Sequence, residues 1–433
     1  MTELSKRSFM RTAGAGAVAG LAGCLGLGGG DDEGLSFWAA FWNEDHHSEF
    51  QEWYAEEIEE LTGQPPELTD YQYDDLQEQV ITGGRTGTPD VIEGVIEHPA
   101  DYVNGDLVEP LTDRMDELYF LDGYTDAALE AFEFQGEQWA LPYVGNGRAL
   151  VYRKDVLAEY GYEDGPPEEA AEFLELAHEI YEGEDGMSGF HFTTERGEVR
   201  QTQEFLSHVY QHVDGLFAEA DGGWELQADA DIFAGVLDMY YELYLGELQA
   251  VDTDARGAGW EQNDEGYTRG EHAMIQCGPW ITMFDDTEAQ EEVLYENTGI
   301  AHLPYTEGGE RSTYMEVKPV MLNAHSERLE EAWEALELFI RPETVDRYGQ
   351  GNPGEVLTPV HEGIESTLDD ADFEPFIEVF ETGVPPAQIR WGSVRQPIYD
   401  AIENVLYEER TPEEAAEDLE GALRDLEGEL TDD

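Results

Sequence analysis

After residue 34, the apolar positions of the chain switch repeatedly between two spacings. Leu35-Ser36-Phe37-Trp38-Ala39 is a short, nearly continuous apolar run with strand character. Phe50, Trp53, Tyr54, Ile58 and Leu61 then recur at helical spacing, and Gly63 suits the cap at that helix's end. Leu68 to Tyr73 reads as a second strand. Leu76, Val80 and Ile81 open another helical face, broken by Gly83-Gly84, and a third strand starts at Pro89-Asp90-Val91-Ile92. This alternation predicts βαβ units and a parallel sheet. Farther on, Tyr143 to Tyr152 is apolar but interrupted by Gly145-Asn146-Gly147. Helices are predicted from Pro166 to Tyr181, over 229–246 and from Leu329 to Ile340, with a strand-like run at Ile300-Ala301-His302-Leu303-Pro304. The last helix is the most fully specified. Thr411 caps it, Pro412 suits its first position and Glu414 completes a capping box. Ala415, Leu419, Ala422, Leu423, Leu426 and Leu430 then line one face.

Length and charge narrow this picture. The 433 residues suffice for two domains, each with its own core, and 40% hydrophobic content is that of a globular protein. The chain has 100 Asp and Glu against 21 Lys and Arg, a formal net charge of −79. Its only lysines are Lys6, Lys154 and Lys318. Self-repulsion of this size strains a compact state at ordinary ionic strength. At molar salt the Debye length falls to roughly 3 Å and the repulsion is screened. An acidic, lysine-poor surface therefore points to a halophile and argues against a nucleic-acid partner. With two cysteines, Cys24 and Cys277, in unlike surroundings, no disulfide framework is expected.

Residues 1–23 read as an export signal: Lys6, Arg7 and Arg11 form a basic start, and an Ala/Gly/Val/Leu run follows to Gly23. That run is too short and glycine-rich for a membrane span. Ser5-Lys6-Arg7-Ser8-Phe9-Met10 resembles a twin-arginine export motif with Lys6 in place of the first arginine, and Leu21-Ala22-Gly23-Cys24 resembles a lipobox. The resemblance implies cleavage before Cys24 and its lipidation, so that the protein is held on the outer face of the cell membrane. Residues 24–34, rich in glycine, read as a flexible tether.

Five further segments occur in one order: Thr88-Pro89-Asp90-Val91-Ile92 with Tyr102 to Leu111, and Gly136 to Pro142 with Ala149 to Leu157. Gly270-Glu271-His272-Ala273-Met274 with Cys277-Gly278-Pro279-Trp280, Leu303-Pro304 before Gly308-Gly309, and Glu331 to Ala335 leading into Phe339-Ile340 complete them. Together they resemble the family 1 extracellular solute-binding proteins, which include the maltodextrin-binding proteins, over nearly all of residues 35–430. The haloarchaeal cast comes from the charge. The resemblance implies an α/β, two-lobed, periplasmic-binding-protein-like (type II) fold with a ligand cleft between the lobes. Residues 35–144 plus 306–355 would form lobe 1, and 147–302 plus 360–431 lobe 2, with crossings near 142–148, 301–307 and 353–360. It implies a monomer that captures a sugar by hinge closure and delivers it to the membrane permease of an ABC importer, with no cofactor and no catalysis.

A sugar site needs flat apolar rings and convergent hydrogen-bonding groups. Trp42, Asn43 and Asp45 follow the first strand, where open α/β sheets bind ligands. Asn43 or Asp45 equally reads as a helix cap, and Trp42 as a core residue. Tyr143, Asn146 and Arg148 form a polar, glycine-flanked patch inside an apolar strand, which suits a cleft wall. The family often has an acid near Asn146, so the ligand is left open here. Trp280 matches the family's Gly-Pro-Trp position, which implies a stacking ring, and Trp391 matches a second such position or a core residue. Asp90 lies at a strand end, facing ligand or holding the strand. His46-His47 has no metal-ligand spacing and reads as surface or cleft rim. Pairs such as Glu56-Glu57 and Asp369-Asp370 read as solvated faces, and Cys277 as a small buried residue. The competing reading is a secreted carbohydrate-active enzyme, since glycosidases use two carboxyls. Within the binding family, a polyol, a glycerol phosphate ester or a peptide are other ligands.

Overall fold

The computed structural model of the chain describes residues 34–430, apart from 41–43, 72, 221–222, 352–353, 355–356 and 366–371. The export signal, Cys24, the tether, Trp42, Asn43 and Asp369-Asp370 therefore lie outside the described residues, as does the side chain of Asp45.

Two sheets organise what is described. In the first, Ser36–Ala39 runs parallel to Glu67–Asp70 on one side and to Val91–Glu93 on the other. These are the three strands expected from the alternation. The remainder of this sheet departs from the parallel expectation. The long strand Thr313–Leu322 pairs antiparallel with Val91–Glu93 and with Leu141–Gly147, and Gly383–Val384 adds a short parallel edge. An antiparallel neighbour needs no crossover helix, and Thr313–Leu322 follows a strand of the other sheet rather than closing a βαβ unit. In the second sheet Ala149–Arg153 is central and antiparallel to both Met274–Cys277 and Thr298–Ala301.

Arg148 alone separates Leu141–Gly147 from Ala149–Arg153, so the chain passes from one sheet to the other at this residue. Flanking glycines make the passage narrow enough. A Cβ on Gly145 would lie 2.6 Å from the Phe380 ring, and one on Gly147 would lie 3.2 Å from the Phe380 backbone. Thr358 bonds Gly145 from the far side, through both backbone and hydroxyl.

Helices cover the sheets as their apolar stripes require. Glu44–Thr62 ends at Gly63, which adopts φ +77°, and packs Phe50 and Tyr54 against Phe339 and Tyr348 of the helices Leu329–Ile340 and Pro342–Gly349. His47 joins this aromatic cluster. It is 2% exposed and stacks on Tyr348 at 4.2 Å, so it is a core residue and not the surface or rim residue expected. The ring fills the turn ahead of Phe50, on the helix face that turns inward. On the second sheet's side, Trp391–Leu406 and Pro412–Leu426 pack against Ala230–Tyr244. The capping box at Thr411 and Glu414 forms as expected, with both bonds at 3.3 Å. No helix among the described residues is long and apolar enough to cross a membrane.

Candidate functional site

The crossing at Arg148 gathers charge in the interior. Side chains alternate along a strand, so Asn146 and Arg148 share a face. Glu316 lies directly opposite Asn146 in the register, and Lys318 follows two residues on, on the same face. A bulge at Lys318/Pro319 fits a proline with no N–H to give to the ladder. Arg148 donates to Asn146 and Gln203 through its two Nη groups and to Glu316 at 2.9 Å. Lys318 lies 3.7 Å from the same carboxylate. Burial alone would raise the Glu316 pKa, but Lys318 and Arg148 outweigh it and hold the carboxyl below its usual range. Glu93, at the end of its strand, takes bonds from the Ala40 N–H at 2.9 Å and the Tyr143 hydroxyl at 3.0 Å. Here burial wins over Lys318, and the pKa is pushed up to about 8.

A second charged group comes from the helix Val199–Val209, every residue of which is buried. Arg200 donates to Glu204 at 2.7 Å, to Asp264 at 2.7 Å and to the Gln276 carbonyl. Burial works against the Arg200 charge, but Asp264 foremost among its neighbours outweighs it and the guanidinium stays protonated. Trp280 joins the two groups. Its indole N–H donates to Asp264 at 2.9 Å, Arg148 lies 4.7 Å over its ring and Arg200 5.5 Å. A third pair closes the set: Arg395 bonds Glu97 at 2.7 Å, and Glu97 also takes the Tyr314 hydroxyl at 2.6 Å. Arg395 lies on the helix Trp391–Leu406 and Glu97 follows the strand Val91–Glu93, so this buried pair spans the two sheets' surroundings.

Among the described residues, every buried arginine or lysine (Arg148, Arg200, Lys318 and Arg395) belongs to this set. Buried charge is costly unless paired, so concentrating it here, in a chain so poor in cations, marks the region. Polar atoms without protein partners occur on these residues and the one beside Asp264: Arg148 Nε, Asn263 Oδ1 and Asp264 Oδ1. Buried polar groups are normally satisfied, and these suit a ligand rich in hydroxyls.

The structure thus brings together Asn146, Arg148 and Trp280, while the Tyr143 ring packs in the core against Phe339 at 5.0 Å and Tyr348 at 5.9 Å and only its hydroxyl reaches Glu93. Asp90 is elsewhere. It accepts from Ser36 N at 2.8 Å, Ser36 Oγ at 2.9 Å and Ser326 Oγ at 2.5 Å, at the strand ends opposite to Glu93. Trp391 is fully buried, with its indole N–H on the Ala387 carbonyl at 2.8 Å. The site residues that the sequence pattern did not single out are Glu93, Glu97, Arg200, Gln203, Glu204, Asp264, Glu316, Lys318 and Arg395. One signal for two of them was present. Glu316 and Lys318 alternate within the apolar run Tyr314 to Leu322, which puts two opposite charges on one face of a strand. Among the described residues no group of three or more His, Cys, Asp and Glu side chains is placed to hold a metal ion. Cys277 is buried.

Two α/β units with a polar, aromatic-bearing seam at the strand crossing define the class: a two-lobed binding-protein fold with its cleft between the lobes. Solved structures agree. The Thermus thermophilus maltotriose binding protein, bound with maltotriose, superposes with a TM-score of 0.73 at 19% identity, covering 90% of this chain and 99% of its own. The GacH receptor of Streptomyces glaucescens, solved unliganded and with acarbose, gives 0.78 at 21% identity, covering 92% and 100%. A solute-binding protein from Thermotoga lettingae bound with α-D-tagatose gives 0.77 at 18% identity, covering 90% and 100%. Binding proteins of Brucella abortus and Brucella suis are 19% identical over 327 residues, 73% of this chain and 74% of theirs. Residues 43–346 match the bacterial extracellular solute-binding proteins, and the chain belongs to that family.

Proposed function

We propose that this protein is the extracellular substrate-binding component of an ABC importer, that its ligand is a sugar or oligosaccharide, and that it hands this ligand to a membrane permease without altering it. The reading extends to its ends. Residues 1–23 direct export, Cys24 carries the lipid anchor, and the protein acts as a monomer in a salt-rich medium. Lobe 1 is 35–144 plus 306–355, and lobe 2 is 147–302 plus 360–431. Trp42, Asn43 and Asp45, which follow the first strand in the sequence, are further ligand contacts on this reading. Asp90 and Trp391 serve the scaffold through the bonds given above.

The observation that carries this reading is the seam around Trp280. An indole beside buried amide, carboxylate and guanidinium groups offers a sugar both an apolar platform and directional partners. Known sugar receptors that share the fold support it. The ionic groups bear against the enzyme reading. Glu204 and Asp264 are both bonded to Arg200, and Glu316 to Arg148, so these carboxylates are engaged as anchors. The test is a thermal-shift and calorimetric screen of mono- and oligosaccharides in molar KCl, because a ligand of the native state raises the melting temperature. Trp280→Ala is expected to weaken binding by at least about tenfold. Turnover of an oligosaccharide, or an undiminished shift in Trp280→Ala, would overturn the reading.

A further inference from the structure

Two guanidiniums attend Trp280, and they are held differently. Arg200 is fixed by Glu204, Asp264 and the Gln276 carbonyl. Arg148 stands on the one residue between two strands. It is held through its Nη groups by Asn146, Gln203 and Glu316, and its Nε has no partner although the side chain is only 3% exposed. Its Cζ lies 4.7 Å from the Trp280 centroid, the closer of the two.

A guanidinium is planar, weakly hydrated on its faces and attracted to an indole. At this distance it fills the place that the C–H face of a sugar ring would take. We infer that Arg148 is a specificity-determining residue: its guanidinium is an internal competitor for the Trp280 face, and a sugar gains that face only by displacing it. This rests on the sugar-binding reading above. Displacement does not strand the cation. Glu316 stands opposite Asn146 on the neighbouring strand of the same sheet and can stay bonded to Arg148. The contact that gives way is the one to Gln203, which comes from the helix Val199–Val209 across the seam. Ligands with too little ring face to outcompete the guanidinium are thereby rejected.

Truncating Arg148 does not leave a bare charge either, because Glu316 keeps Lys318 at 3.7 Å. The experiment titrates glucose, maltose and maltotriose into the wild-type protein, Arg148→Ala, Arg148→Lys, and the Arg148→Ala/Trp280→Ala double variant by calorimetry in molar KCl. Arg148→Ala is expected to bind the tightest of these sugars about tenfold more strongly than wild type, with Arg148→Lys in between. The double variant should lose the gain. Equal or weaker binding by Arg148→Ala, with a cooperative melt at the wild-type temperature, overturns the inference and leaves the sugar reading standing. Should Arg148→Ala fail to fold, Arg148→Lys decides: tighter binding supports the inference and no gain overturns it. Binding of none of the three sugars to any variant overturns the inference and the sugar reading together.

Discussion

Glu93 shows how much a single interior position can ask of the fold. Its carboxyl is buried, takes two hydrogen bonds and still titrates near 8 because burial outweighs them. An unperturbed glutamate titrates at 4.5. Between these values the unfolded chain releases the proton and the folded chain keeps it, so the stability that this group contributes is fully present at acid pH and is lost as pH rises through 8. Glu93→Gln removes that dependence. Its melting temperature, measured against wild type in high salt, should gain about 2 °C or more between about pH 5 and about pH 9. At this scale the sequence was readable in part. Gly145-Asn146-Gly147 and Arg148 stood out because polar residues interrupt an apolar run. Glu93, Glu97 and Asp264 did not, because in a chain with 100 acids a carboxylate carries little information until its burial is known, and Arg395 did not because its partner Glu97 lies 298 residues away. His47 read as a surface or rim residue, and Trp391 equally as a stacking or a core residue, because nothing in local spacing tells which side of a helix meets the core.

Elements followed their local patterns where those patterns were complete. The terminal helix carries cap, proline and capping box together, and it forms where they place it. Thr411→Ala removes the bond to the Glu414 N–H and is expected to cost about 1 kcal/mol in a denaturant titration, with sugar binding unchanged. The helix Val199–Val209 is the opposite case. Arg200, Gln201, Gln203, Glu204, Ser207 and His208 give it the composition of a solvated surface helix, yet all of it is inside. Its burial goes with partners far along the chain: Arg200 bonds the Gln276 carbonyl 76 residues away, and the Tyr314 N–H donates to the Ser207 hydroxyl across 107 residues, separations that no window of neighbouring residues contains. Strand direction in the second sheet was hidden for the same reason. A run such as Met274–Cys277 is apolar in either orientation.

Across the whole molecule, charge outweighs every other feature. The excess of carboxylates is spread through the chain, while the buried cations are gathered at the seam. Screening is therefore expected to govern folding. Melting followed by circular dichroism should rise by about 10 °C or more from dilute buffer to molar KCl; equal melts would remove the halophilic reading. The two-lobed arrangement was legible because five segments in a fixed order carried it, whereas the buried pair Arg395 with Glu97 spans 298 residues and left no trace in either neighbourhood. The scarcity of lysine has a practical sequel. Beyond residues 1–23 the chain has two ε-amines. Lys318 is sealed in beside Glu316, and Lys154, at the start of the helix Lys154–Glu159, is 37% exposed and bonded to Asp372. Once residues 1–23 are cleaved off, as proposed, an amine-reactive fluorophore applied to the folded protein has one lysine side chain to find. That side chain lies six residues past the crossing, where a dye tests, without any engineered cysteine, the hinge closure that the family resemblance implies.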